Sequence, residues 1–250
     1  MSAKVIPTSG TKRESVERLS LFFVFRRCND LVSSVCLNFH KMKWIFIVSF
    51  WLVVGTVNSQ ILVQSMSTQE ASAYRDTGWV TWQGELEHAK MWGDSLGSNL
   101  LFISLYADDK ANRIVIFARH YIGDAGNYSL LWDLMDFVNV DWTADGEPRL
   151  QLVVVEDTDM NGVAETYLGY TLYGDVTDCC YPNPLKVIVH EGSSKYAIRG
   201  MTEVEYDKDN RVGGKDMNGG NSIESASSEI QQRANKMYDY IAQKLFIRMW

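Results

Sequence analysis

Between residues 78 and 206, short apolar runs alternate with clusters of turn-forming residues. NLLFISLY (99–106) and RIVIFARHY (113–121) flank a polar turn, and LKVIVHE and SKYAIRG flank Gly192-Ser193. Both arrangements are typical of β-hairpins. RLQLVVVE and ETYLGYTLY flank a third, acidic connection. About eight strands with short connections predict a mainly β fold, either an antiparallel sandwich or a barrel-like sheet.

Two further segments in this region are less regular. In GWVTWQGELEH, apolar or small residues recur at every second position from Val80 to Leu86, which predicts a strand. SLLWDLMDFVNV (129–140) is apolar enough for a strand or a helix, and we expect a strand.

The pattern changes after the β domain, which we assign to residues 60–206. Residues 207–222 are rich in Gly, Asn and Asp and lack an apolar period, which predicts an exposed, flexible loop. Residues 223–250 then show apolar positions at spacings of three and four, which predicts an amphipathic helix that packs on the sheet. Asn221 is the predicted N-cap, with Glu224 three residues later as in a capping box.

The segment 42–59 has the layout of a secretory signal peptide. Lys43 is followed by an apolar stretch from Trp44 to Val54, and small residues precede Gln60. The stretch is shorter than the roughly 20 residues of a membrane-spanning helix, so export is favoured over a membrane anchor. We interpret residues 1–41 as an extension upstream of a true start at Met42, and a long n-region is the alternative. The predicted location is the periplasm, the cell surface or the extracellular space.

Removal of residues 1–59 makes the chain strongly acidic. That segment carries 8 of the 24 Lys and Arg residues and 3 of the 31 Asp and Glu residues. The remainder has 16 basic and 28 acidic residues, a formal net charge of −12. Such a surface repels phosphate backbones, which argues against a nucleic-acid partner, and it tolerates cations.

Two of the four cysteines, Cys28 and Cys36, lie in the leader, so the adjacent pair Cys179-Cys180 remains. The pair can close a strained ring in an oxidising compartment or stay reduced. The sequence has neither CxxC spacing nor a Cys/His set for zinc.

The acidic connection is the strongest candidate for chemistry. It places side-chain oxygens of Asp157, Asp159, Asn161 and Glu165 at loop positions 1, 3, 5 and 9, and the carbonyl of Val163 can add a backbone ligand. Calcium takes six to eight oxygen ligands at about 2.4 Å, so a short loop must fold around it. Gly162, at position 6, permits the sharp turn and is predicted to have a positive φ.

This loop is not an EF-hand, because Leu168 occupies position 12 and the flanking segments read as strands. It resembles the calcium loops carried on β-hairpins in integrin-type propeller repeats. The alternative is an acidic turn that needs only Asn161-Gly162, itself a hairpin signal. We favour calcium binding, because without a cation the carboxylates merely repel one another.

Other candidate groups carry weaker signals. DWTADGE (141–147) resembles half of a second acidic loop but has the wrong spacing, so we interpret it as a solvated turn. His88, His120 and His190 occur singly, and we expect ordinary sheet histidines. The tryptophans form a possible sugar-stacking face, although aromatic residues in β proteins more often lie in the core: Trp79, Trp82, Trp92, Trp132 and Trp142.

Several segments together resemble a small secreted bacterial family catalogued as surface polysaccharide biosynthesis protein. They are AKMWGDSLGSNLLFIS, ARHYIGDAGNYSLLWDLMDF, VVVEDTDMNGVAETYLGYTLY and LKVIVHEGSSKYAIRG, within residues 79–200. The resemblance implies a link to envelope glycans and a shared acidic loop, without identifying a reaction or catalytic residues.

These observations lead to two hypotheses of function. The first is a non-enzymatic, calcium-binding envelope module that binds glycan or protein. The second is an enzyme of surface polysaccharide assembly or modification, which a cleft with two facing carboxylates would favour.

Overall fold

The chain folds as two antiparallel β-sheets that stack face to face, with one helix associated with each outer face. The computed structural model describes residues 60–124, 126–140, 147–173, 181–216 and 222–250. The leader, the Cys179-Cys180 pair, Trp142 and Asn221 lie outside the described residues. The predicted sandwich is confirmed, and the barrel-like alternative is wrong because the two sheets do not close into one.

The first sheet is a meander whose strands follow chain order, β1 to β5. All neighbouring pairs are antiparallel, and residues 109–112 make the predicted turn between β3 and β4. The segment 129–140 is a strand, as predicted. The strands are β1 (Gln64–Ser65), β2 (Glu85–Asp94), β3 (Gly97–Asp108), β4 (Arg113–Asp124) and β5 (Asn127–Asn139).

The second sheet has the order β10-β9-β8-β7-β6, with the short β11 pairing parallel to β9. The turn at Gly192-Ser193 joins β8 and β9 as predicted. The strands are β6 (Glu147–Glu156), β7 (Glu165–Tyr173), β8 (Pro184–Glu191), β9 (Ser194–Asp207), β10 (Asn210–Lys215) and β11 (Ile247–Arg248).

Three apolar clusters hold the layers together. The largest lies between the sheets and includes Trp132 and Leu134 of β5 and Leu168 and Tyr170 of β7. A second joins the outer face of the second sheet to the C-terminal helix, and a third covers part of the outer face of the first sheet. Because β7 packs on the first sheet with one face and on the helix with the other, Glu165 to Leu172 are all buried.

The C-terminal helix is shorter than predicted. Helix α2 spans Ser228–Lys244 and buries the expected stripe, which includes Ile230, Met237 and Ile241. Its N-cap is Ser227, whose hydroxyl accepts the N–H of Ile230, and Ile223–Ser225 form a separate 3₁₀ turn. The start predicted at Asn221 is therefore wrong, because Ala226 is extended and interrupts the helical pattern. The chain ends in β11 and not in helix.

Residues 207–215 are not the flexible loop that their composition predicts. They complete β9 and form β10, which pairs with β9 through two register shifts. Gly213 and Gly214 have φ values of 102° and 101°, and a Cβ at Gly213 would lie 2.0 Å from the carbonyl oxygen of Thr202. The glycines therefore form a bulge within a strand. Glycine-rich composition can indicate such a bulge as well as a flexible loop.

The start of the described chain differs from the prediction in two ways. Helix α1 spans Thr68–Asp76 and begins with a capping box made by Ser67 and Glu70. Residues 79–84, predicted as strand, lie outside β2. Val80 is fully buried with Ala71 in the third cluster, and Gly84 turns the chain at a φ of 74°. In the described part of the chain, none of the helices has both the length and the apolar character needed to cross a membrane.

Candidate metal centre

The acidic connection links β6 to β7 at one end of the sandwich. Its tip contains two left-handed residues, Met160 with a φ of 60° and Gly162 with a φ of 88°. The positive φ of Gly162 is the predicted one. Met160 was not predicted, since a non-glycine residue seldom adopts this conformation. Two such residues close together fold residues 157–164 into a compact loop.

Backbone N–H groups of the tip face the loop's own side chains. The two carboxylate oxygens of Asp157 accept the N–H groups of Asn161 (3.0 Å) and Gly162 (2.9 Å). Asp159 accepts the same Asn161 N–H at 3.3 Å, and the amide oxygen of Asn161 accepts the N–H of Val163 at 2.8 Å. These bonds orient the side chains before any ligand arrives, which lowers the entropic cost of binding.

Three carboxylates meet inside this loop. One oxygen each from Asp157, Asp159 and Glu165 lies within 4.8 Å of the other two. Oxygens bound to one calcium ion at about 2.4 Å cannot be further apart than about twice that distance. The three oxygens therefore satisfy the spacing that a shared cation requires.

Glu165 is the unusual member of the group, because its side chain is completely buried. Its Oε2 accepts the N–H of Thr158 at 2.7 Å, while Oε1 has no hydrogen-bond partner among the described residues. The pKa of Glu165 is raised to about 7, chiefly by burial and also by the charges of Asp159 and Asp157, although the Thr158 hydrogen bonds oppose the shift. A buried carboxylate oxygen without a donor is costly, and a hard cation is one partner that removes this cost.

The other two predicted ligands lie on the same loop. The side-chain nitrogen of Asn161 donates to Glu191 at 2.6 Å, which fixes its amide oxygen on the side of the Val163 N–H. An amide oxygen has two lone pairs, so one remains for a cation. The carbonyl of Val163 stays a predicted ligand. The donor set of carboxylate and amide oxygens suits calcium and lacks the nitrogen and sulfur that zinc prefers.

Two neighbouring hairpins hold the loop. At the β2–β3 turn, Oδ2 of Asp94 accepts the Ala164 N–H (3.2 Å) and the Trp92 indole N–H (2.9 Å), and the Ser95 N–H binds the Gly162 carbonyl (2.8 Å). At the β8–β9 turn, Glu191 binds Asn161 and also accepts the hydroxyl of Tyr196 at 3.2 Å. Asp94 and Glu191 were missed from the sequence because no spacing links them to the loop.

The structure places the other candidate groups, which are the tryptophans, the second acidic segment and the histidines, in different parts of the fold. Trp92 and Trp132 are buried between the sheets, whereas Trp79 is exposed and Trp82 stacks on Phe102 at the outer face of the first sheet. The four tryptophans of this set that the structure describes therefore do not share one sugar-stacking face. Glu147 pairs with Arg149, while Asp141 and Asp145 lie outside the described residues. His88, His120 and His190 lie on strands, as expected.

No protein-family model matches the chain. No curated protein and no solved structure matches it significantly. The resemblance to the surface polysaccharide family therefore stays a prediction, and the functional argument depends on the geometry of the loop.

Proposed function

We propose that this protein is an exported β-sandwich module that binds calcium in the loop from Asp157 to Glu165. The observation that carries the proposal is the completely buried carboxylate of Glu165, whose Oε1 lacks a partner beside the carboxylates of Asp157 and Asp159. An acidic turn without a ligand needs no buried carboxylate, because exposed acidic groups satisfy the same backbone donors at lower cost.

The cation has a structural role in this proposal. The loop contacts the β2–β3 turn through Asp94 and Ser95 and the β8–β9 turn through Glu191. An ion that orders residues 157–165 therefore also fixes two neighbouring turns at the same end of the sandwich. Such a rigid group of loops on a β scaffold suits recognition of a partner more than catalysis.

Export and the glycan partner rest on the sequence. The signal-like segment 42–59 supports a location in the envelope or outside the cell, where calcium is available at millimolar concentration and weak sites are occupied. The resemblance of residues 79–200 to the surface polysaccharide family supports an envelope glycan as partner.

Isothermal titration of the purified protein with calcium tests the proposal. We expect one site with a dissociation constant of roughly 0.1–1 mM. Glu165→Gln keeps the shape of the side chain but removes its charge, so it should weaken calcium binding at least tenfold. Asp109→Asn, in the exposed β3–β4 turn, is the matched control and should bind like the unmodified protein. No measurable heat or ion uptake by the unmodified protein up to 10 mM (on the order of ten times the weakest expected constant) would overturn the proposal.

A further inference from the structure

A buried layer of aromatic rings connects the two sheets. His120 of β4 and Trp132 of β5 are cross-strand partners, and their ring centroids lie 5.3 Å apart. His190, from β8 of the second sheet, stacks on Trp132 with a centroid distance of 3.9 Å and an interplanar angle of 11°. Trp92 lies 4.9 Å from His120 on the other side. All four rings are buried, so this layer is a direct contact between the sheets.

Most polar atoms of this layer have no partner among the described residues. They are Nδ1 and Nε2 of His190, Nδ1 of His120, Nε1 of Trp132 and Oγ1 of Thr166, which is the cross-strand partner of His190. All of these atoms are buried. The missing hydrogen bonds are therefore a cost of the closed layer that its opening would remove.

The hydrogen bond of His120 determines where a further proton would go. The Asn99 side chain donates through Nδ2 to the Gly97 carbonyl at 2.9 Å, which turns its Oδ1 towards Nε2 of His120, also at 2.9 Å. Nε2 is therefore the protonated nitrogen of the neutral ring, and an added proton must occupy Nδ1, which has no acceptor. In His190, neither nitrogen has an acceptor, so a charged ring is still less tolerated there.

Few charged groups act on the two rings. Asp94 on β2 favours the charged form of His120, whereas Lys195 on β9 and a charged His120 oppose the charged form of His190. Lys186 and Asp136, which also bridge the sheets, neutralise each other at 2.6 Å. Glu165 lies on the opposite face of β7 from Thr166. Burial dominates, and it lowers the pKa of His120 to about 4 and that of His190 to about 3.

We propose that the layer of His120, Trp132 and His190 is an acid-sensitive lock, which holds the two sheets together while both imidazoles are neutral and releases them when the rings take up protons. In an opened state both rings regain an ordinary pKa near 6.5. Their contribution to the closed state is therefore complete above about pH 6.5 and decreases as the pH falls towards 4 and 3. Through these two rings, acid shifts the population towards the opened state.

An acid titration followed by tryptophan fluorescence and near-UV circular dichroism tests the lock. The full protein is titrated from pH 8 to pH 3 in chelator, so that calcium binding does not contribute to the transition, and the comparison of variants isolates the contribution of His190. His190→Phe keeps a ring stacked on Trp132 but removes the titrating nitrogens. We expect its transition to occur about 0.5–1 pH unit lower than that of the unmodified protein, and to be less steep. His88→Phe, at an exposed position of β2, should leave the transition unchanged.

A histidine NMR titration of the unmodified protein gives an independent readout. The lock requires the signals of His120 and His190 to remain those of neutral rings until the structure opens, whereas His88 titrates in the folded state. Normal titration of His120 or His190 with the fold intact would overturn the inference, and so would coincident transitions of His190→Phe and the unmodified protein. If His190→Phe does not fold at pH 8, the NMR titration alone decides.

Discussion

Asp94 of β2 and Ala164, at the end of the β6–β7 loop, lie 70 residues apart in sequence, yet the carboxylate of Asp94 accepts the backbone N–H of Ala164 at 3.2 Å. The same oxygen accepts the indole N–H of Trp92 at 2.9 Å. One carboxylate thus joins the end of the acidic loop to a buried ring of the first sheet. Through these hydrogen bonds, the β2–β3 turn holds the candidate metal centre in place.

This relationship predicts a large effect of Asp94→Ala. The substitution leaves the N–H groups of Trp92 and Ala164 without an acceptor, and both residues are buried. An unsatisfied buried donor costs about 1–3 kcal/mol, so we expect the free energy of unfolding to fall by roughly 2–4 kcal/mol. Urea denaturation measures this change. Asp109→Ala, in an exposed turn, should change stability by less than about 0.5 kcal/mol. Equal losses for the two variants would show that the Asp94 bonds do not stabilise the fold.

A pair of glycines tests the packing between the second sheet and α2. At Gly200, a Cβ would lie 2.4 Å from the carbonyl oxygen of Gly214 and 2.1 Å from the hydroxyl of Tyr238. Because one of these neighbours is backbone, Gly200→Ala should cost about 1–3 kcal/mol through overpacking. At Gly93, no atom lies within 4 Å of the added Cβ, so Gly93→Ala should be neutral. Thermal unfolding compares the two, and a neutral Gly200→Ala would contradict the close approach of β9, β10 and α2.

The start of α2 allows the observed N-cap, Ser227, to be compared with the predicted N-cap, Asn221. Ser227 accepts the N–H of Ile230, so Ser227→Ala should destabilise the protein by about 1 kcal/mol. Asn221→Ala, at the cap predicted from sequence, should have a smaller effect. Urea denaturation of both variants measures the difference, and a larger loss at Asn221 would contradict the observed start of the helix.

The main hairpin strands could be predicted because each is specified by its own residues. Alternating or continuous apolar runs bounded by Gly, Asn and Asp identify hairpins locally, as at Gly192-Ser193. Helix α1 was missed because it buries only Ala71 and has no apolar stripe, although its capping box, Ser67 to Glu70, was a usable signal. β10 was missed because the pairing with β9 that organises its glycines is not encoded in the segment itself.

The candidate metal centre also has features that could be predicted from the sequence and features that could not. Asp157, Asp159 and Glu165 could be predicted together because they occupy one short loop with a recognisable spacing. The complete burial of Glu165 could not be predicted, since it depends on how the loop packs against the rest of the sandwich. The hydrogen bonds to Asp94 and Glu191 could not be predicted either, because their hairpins meet the loop only after the two sheets are assembled.

The acidic loop itself makes the most direct prediction. Calcium that binds only the folded state raises stability by mass action. With a dissociation constant of about 0.1–1 mM, 1 mM calcium should add only about 0.4–1.4 kcal/mol, a shift of a few degrees in melting temperature. Magnesium should do less, because it requires a tighter octahedral shell and keeps its waters.

The substitution Asp159→Ala distinguishes stabilisation by calcium from the intrinsic stability of the turn. The Asn161 N–H that Asp159 accepts is also bound by Asp157, so the loop keeps a partner for that donor and the fold should persist. The variant should lose the calcium-dependent shift in melting temperature. In chelator, it should melt at or slightly above the temperature of the unmodified protein, because one of three crowded carboxylates is gone. An acidic turn without a cation site behaves differently: the unmodified protein would then melt at the same temperature in calcium and in chelator.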